Sequence, residues 1–225
     1  MDRVGVLASG GGTTYEALWW AIHRGSIKNT QIAFVVCNQS DAGVWKRAQS
    51  LKTPIYHVSN LTEKTCTLPQ VDGADAKGTI SYEVSDRLVE LAKEHDIKMY
   101  VALGYMKRVI GRVLDEAPIL NLHPGPLGED KLTAGLHGSG VQEFIMRNNV
   151  KYSGPTMHWM ATEVDESGLP AYDMGEEVGH EPVAVTRAMR EQWEKTGSVK
   201  LLEEEVRATE RMWVPHWIRD ALDQI

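Results

Sequence analysis

Short uninterrupted apolar runs alternate with segments of helical period through the first two thirds of the chain, and nothing else in the sequence restricts the fold as much. A run from Arg3 to Ala8 ends in Ser9-Gly10-Gly11-Gly12, after which Leu18, Trp19 and Ile22 keep helical spacing within Tyr15 to His23. Gln31 to Cys37 and Pro54 to Val58 read as further strands, with Gly43 to Leu51 as the helix between them. Tyr82 to Glu94 places Val84, Leu88 and Leu91 on one helical face, and Met99 to Leu103 and Ile119 to Leu122 are the fourth and fifth strands. Strands without polar alternation are buried on both faces. The pattern therefore predicts an α/β fold, a parallel sheet with helices on each side joined by right-handed crossovers.

The last third is less regular. His123-Pro124-Gly125-Pro126-Leu127-Gly128 opens a loop reaching about Ser139, followed by an expected helix from Gly140 to Arg147 and strands from Pro155 to Met160 and near Pro182 to Val185. Leu202, Val206, Thr209 and Trp213 form one stripe of a closing helix that Pro215 should kink or end. The polar stretch from Ser59 to Gly78 reads as a surface excursion, not a linker between domains. A chain of 225 residues buries roughly 70% of its unfolded surface, so it needs no disulfide or structural metal.

Composition removes several classes of function. Net charge is −7, and Lys and Arg are scattered, so no electrostatic footprint for nucleic acid exists. No window approaches 18 consecutive apolar residues, which argues against a membrane span. Cys37 and Cys66 offer neither a disulfide framework nor a metal knuckle, and Met1-Asp2-Arg3 leads straight into a strand, so a cytoplasmic address is expected. The seven Trp read as packing anchors.

Three places could carry chemistry. Ser9-Gly10-Gly11-Gly12-Thr13-Thr14 lies where a first strand hands over to a first helix, and free N–H groups there attract an anion, phosphate above all. It is neither a dinucleotide fingerprint nor a P-loop, and a tight turn without ligand has the same sequence. Asn121 and His123 end a predicted parallel strand and point to one side, into the crevice outside the carboxyl ends, although a His before Pro is also an ordinary turn residue. Met157 to Gly168 is a strand running into a loop with Glu163, Asp165 and Glu166, acids that commonly form turns. An Asp beside a His and an Asn is the set that moves a proton and stabilises an oxyanion in acyl transfer.

Taken in order, Val4 to Thr14, Ala102 to Arg108, Asn121-Leu122-His123-Pro124 and Thr162-Glu163-Val164-Asp165 give a chain that resembles the glycinamide ribonucleotide formyltransferases over roughly residues 3 to 217. The resemblance implies a Rossmann-like, mostly parallel twisted sheet, one domain over 1–225 with a phosphate-binding half (1–98) and a catalytic, folate-binding half (99–225). It implies Asn121, His123 and Asp165 as the catalytic trio. Gly11, Gly12, Thr13 and Thr14, with Arg207 and Glu210, would hold the ribose phosphate of the acceptor. Tyr105, Met106, Lys107, Arg108 and Val109, helped by Thr162, would hold 10-formyltetrahydrofolate. No metal is implied, the partners are small molecules, and the protein would be a monomer or homodimer.

The departures from the family pattern flank the site. Gly125-Pro126 replaces the usual Ser or Ala and Leu after His-Pro, and a further family histidine corresponds to His137 or to nothing. Leu169 to Gly179 reads as an insertion that could close over the entrance as a lid. The acceptor therefore stays open: an amino sugar nucleotide or water, as in a formyltetrahydrofolate hydrolase, are alternatives within the fold. A nucleotide-binding module without catalysis is a more remote one.

Overall fold

The computed structural model describes residues 1–58, 78–164, 171 and 173–225. Five strands, β1 (Asp2–Ala8), β2 (Thr30–Cys37), β3 (Ile55–His57), β4 (Met99–Ala102) and β5 (Ile119–His123), lie parallel in the order β3-β2-β1-β4-β5. The short β6 (Tyr152–Ser153) leaves this sheet, whereas β7 (Thr156–Trp159) and β8 (Glu177–His180) extend its β5 edge as antiparallel strands. A ninth strand, β9 (Val183–Ala184), pairs with β6. Among the described residues the helices are α1 (Thr13–His23), α2 (Val44–Ser50), α3 (Tyr82–Glu94), α4 (Val113–Glu116), α5 (Ser139–Arg147), α6 (Arg187–Thr196) and α7 (Lys200–Leu222).

The strands are apolar without alternation because both faces are covered. Val4, Val6 and Ala8 pack with Tyr15 and Leu18 of α1, Val44 of α2 and Val214, Trp217 and Ile218 of α7. Leu7, Phe34, Tyr100 and Ala102 face the other way, against Val84, Leu88 and Leu91 of α3. Each fully buried Leu in these layers contributes about 1.5–3 kcal/mol relative to an exposed one. Successive strands are added in opposite directions on the two sides of the β1–β4 pair, so a crevice opens at their carboxyl ends.

The early strands and helices fall where the sequence pattern places them; the late ones differ. Helix α7 runs on to Leu222 with Pro215 inside it. Burial of Val214, Trp217, Ile218, Ala221 and Leu222 outweighs the roughly 3 kcal/mol that an interior proline costs. The expected strand near Pro182 to Val185 is β9, outside the main sheet, and the main-sheet strand is β8. Glu177 to Gly179 of the supposed insertion is thus paired backbone in the sheet, which removes that part from any lid. Helices α4 and α6 were not anticipated. The first is four residues long, and in α6 only Met189 is buried, so neither has a legible apolar stripe. Of the excursion from Ser59 to Gly78, all but Gly78 lies outside the described residues. Among the described residues no helix is long and apolar enough to cross a membrane.

Candidate active site

The turn after β1 shapes one end of the crevice. Gly12 is the residue before α1, with φ 73°, and a Cβ on it would come within 2.7 Å of Val44 Cγ2, so both conformation and space require glycine there. Among the described residues no side chain caps α1, which leaves its first N–H groups directed at the crevice. Arg47 holds the turn from behind: its Nε donates to the Gly11 carbonyl at 2.8 Å while its guanidinium pairs with Glu16. Thr14 Oγ1 donates to Glu210 Oε2 at 3.4 Å, which brings α7 and its Arg207 to the same place.

Burial pushes the Glu210 carboxyl up to about 7, against the opposing pull of the Thr14 hydroxyl, Arg207 and Arg211. A carboxyl raised from 4.5 binds a proton more tightly in the folded than in the unfolded chain, so its contribution is full at low pH and is lost as pH rises through about 7. Glu210→Gln is therefore expected to be more stable than the parent at pH 8 by about 2 kcal/mol, and no more stable at pH 4.5, in urea denaturation. An equal difference at both pH values would contradict the burial argument.

The segment leaving β4 forms the opposite wall. Ser9 Oγ donates to Asn38 Oδ1 at 2.6 Å and accepts the Met106 N–H at 2.9 Å, and the Ser9 N–H donates to the Gly104 carbonyl at 3.1 Å. These bonds tie the glycine turn to the stretch from Tyr105 to Val109. All five residues of that stretch line the crevice, and Met106 is exposed in it.

Strand β5 supplies the centre. Its antiparallel register sets Asn121 opposite His158 and His123 opposite Thr156. His158 Nδ1 donates to the Trp159 carbonyl at 2.8 Å, which directs Nε2 to Asn121 Nδ2 at 3.1 Å and to Asp173 Oδ1 at 3.3 Å. Asp173 Oδ2 lies 3.3 Å from His123 Nδ1 and accepts the Gly135 N–H at 3.0 Å, while Oδ1 is 3.4 Å from Asn121 Nδ2. Burial alone would raise Asp173. The hydrogen bond from His158, the adjacent His123 and the Gly135 N–H outweigh it, and the carboxyl sits below its ordinary value. Burial lowers His123 to about 4; Asp173 pulls it up and His158 pushes it further down.

The turn after His123 is fixed by side chains, because proline has no N–H and, among the described residues, the strand pairing ends at His123. Gln142 Nε2 donates to the Pro124 carbonyl at 2.6 Å, Thr156 Oγ1 to Gly125 at 2.8 Å and Thr133 Oγ1 to Pro126 at 2.8 Å. Three successive carbonyls are satisfied from α5, from β7 and from the loop before α5, which holds the imidazole in place.

The glycine turn, the wall after β4 and the Asn121, His123, His158 and Asp173 side chains open into one cavity of about 830 Å³. It has at one end the uncapped start of α1, along one side a long wall at the β4 exit, and between them an amide, two imidazoles and a carboxylate, a set whose chemistry suits a phosphate and a flat heterocycle with a proton moved where they meet. Gly11, Gly12, Thr13, Thr14, Arg207, Glu210, Tyr105 to Val109, Asn121, His123 and the exposed His137 line it together. Thr162 is exposed and is not among the lining residues. Asp165 lies outside the described residues; among the described residues the carboxylate brought to His123 is Asp173. Asp173 and His158 are the members that sequence reasoning missed. The cross-strand partner of Asn121 was a findable signal for His158; Asp173 was hidden in the supposed insertion. Among the described residues no group of three His, Cys, Asp or Glu is arranged to hold a metal.

Comparison with known proteins is consistent with this geometry. The sequence pattern of the formyl transferase family matches residues 2–173. The chloroplastic phosphoribosylglycinamide formyltransferase of Arabidopsis thaliana is 26% identical over 173 residues, 75% of this chain and 53% of that protein. The phosphoribosylglycinamide formyltransferase of Haemophilus influenzae is 28% identical over 171 residues, 75% of this chain and 70% of that protein. The chain spans about half the length of the plant relatives it matches. The crystal structure of phosphoribosylglycinamide formyltransferase from Bacillus halodurans superposes with a TM-score of 0.71 at 24% identity, over 98% of this chain and 95% of that one. That of glycinamide ribonucleotide transformylase 1 from Symbiobacterium toebii gives 0.72 at 25% identity, over 97% and 86%.

Proposed function

Because the chain belongs to the formyl transferase family, we propose that it moves a formyl group from 10-formyltetrahydrofolate to the amine of glycinamide ribonucleotide, a step of purine biosynthesis. The observation that carries this reading is the continuity of one cavity from the glycine turn and Arg207 to the Asn121–His123–Asp173 cluster, which suits a phosphorylated acceptor. Asn121 donates its amide to the oxyanion formed when the amine attacks the formyl carbon, and His123 as imidazolium donates beside it. Asp173 holds that imidazolium. As the bond from the formyl carbon to the acceptor nitrogen forms and its bond to the folate nitrogen breaks, Asp173 passes the surplus amine proton to the leaving folate nitrogen, through His123 or water. The backbone from Tyr105 to Val109 takes the folate heterocycle. In this reading the enzyme works in the cytoplasm as a single-domain monomer or homodimer on two small molecules.

The test is a spectrophotometric assay with both substrates and an acceptor-free control. Transfer only in the presence of glycinamide ribonucleotide supports the reading; formate release without acceptor supports the hydrolase alternative. Thr13→Asp sets a carboxylate beside the anion site, and is expected to weaken acceptor binding at least tenfold more than folate binding. Equal weakening of both ligands in calorimetry would remove the phosphate from this turn.

A further inference from the structure

Thr133, in the loop between β5 and α5, is fully buried and has no part in the chemistry above. Its Oγ1 is 2.8 Å from the Pro126 carbonyl oxygen and 2.9 Å from His123 Nε2. A carbonyl only accepts, so the single hydroxyl hydrogen goes to Pro126, and the Thr133 oxygen is left to accept from an Nε2–H. The other ring nitrogen, Nδ1, faces Asp173 Oδ2, and a carboxylate also only accepts. All of these contacts are satisfied together only when both ring nitrogens carry hydrogen. With a neutral ring one contact fails. Either the Nδ1 lone pair faces the carboxylate, or Thr133 turns its hydrogen to Nε2 and leaves the Pro126 carbonyl without its donor.

We propose that Thr133 is a positioning residue that, backed by the Pro126 carbonyl, makes the pocket around His123 complementary to the imidazolium formed during formyl transfer. The role rests on the reaction assigned above. It also explains Gly125, which stands where the family resemblance leads one to expect Ser or Ala. A Cβ there would sit 2.5 Å from Thr133 Oγ1, 2.5 Å from Val141 Cγ1 and 3.2 Å from His123 Nε2, so the missing side chain is what admits the hydroxyl. Among the described residues the charged and titratable groups around the ring are Asp173 and His158; Lys131, on the same loop as Thr133, is engaged by Glu177 at 3.6 Å and by the Gly175 carbonyl at 3.3 Å. Burial works against the charged ring, and the Thr133–Pro126 pair offsets part of that cost before substrate arrives.

The test compares Thr133→Val, Thr133→Ser and Gly125→Ala by nitrogen-15 NMR of histidine-labelled protein, with His123→Gln to assign the ring. Thr133→Val is expected to weaken proton binding by His123 about tenfold, read from the onset of titration between pH 6 and 4.5. Gly125→Ala pushes Thr133 away and should titrate in the same way, whereas Thr133→Ser should restore most of the parent behaviour. In turnover, Thr133→Val should lower kcat about tenfold with little change in KM, again rescued by Ser. Parent-like titration of His123 in Thr133→Val, or in Gly125→Ala if the first does not fold, overturns the proposal. The titration uses no substrate, so an absence of formyl transfer would reject the assigned reaction and leave this measurement to judge the ring's surroundings separately.

Discussion

Asp173→Asn is expected to lower turnover about 1,000-fold while folate affinity changes little. The substituted side chain keeps the shape and can still accept the Gly135 N–H, but it carries no charge to hold an imidazolium and cannot relay a proton. Asparagine also tolerates the positive φ of 52° at this position, so the backbone should survive the change and the loss should lie in kcat. Asp165→Asn is the necessary companion. If Asp173 is the carboxylate of the trio, Asp165→Asn keeps turnover within a few-fold of the parent. The opposite ranking of the two variants would return the role to Asp165.

Asn121→Ala and His123→Ala should each cost about 100- to 1,000-fold in turnover, since in the proposed reaction each removes a donor aimed at charge that exists only in the transition state. Combining them should cost less than the product of the single losses, because both act on one oxyanion. A second signature belongs to His123. Its ring is lowered from 6.5 to about 4, so between those values the unfolded chain takes up a proton that the folded one does not. The contribution is whole above about 6.5 and is lost as pH falls toward 4. His123→Gln should flatten that part of the stability curve; an unchanged acid slope would mean that the ring is not held neutral by burial.

The first five parallel strands were legible because their residues are apolar on both faces, and Asn121 and His123 were legible because strand alternation sets them on one side at a carboxyl end. Arg207 and Glu210 came from resemblance alone, since nothing in the spacing of α7 says that its polar face meets a turn almost 200 residues earlier. Asp173 was out of reach for a physical reason. A carboxylate followed by Met174 and Gly175 looks like any polar turn, and only the pairing of β8 with β7 brings it to the two histidines. Pro215 misled for the related reason that local propensity is a few kcal/mol, while the packing of the helix that contains it is tertiary.

Gly179 in β8 lies against the indole of Trp217, so closely that a Cβ would fall 2.1 Å from its Nε1. Gly179 follows Asp173 by six residues, and Trp217 follows Glu210 by seven, about 10 Å along the helix axis. The Asp173 carboxylate and the proposed acceptor contacts on α7, Arg207 and Glu210, therefore hang from one seam. Heating that parts β8 from α7 should abolish the proposed grip on the phosphate and the proposed proton relay in a single step, and amide exchange at the two places should quicken at the same temperature.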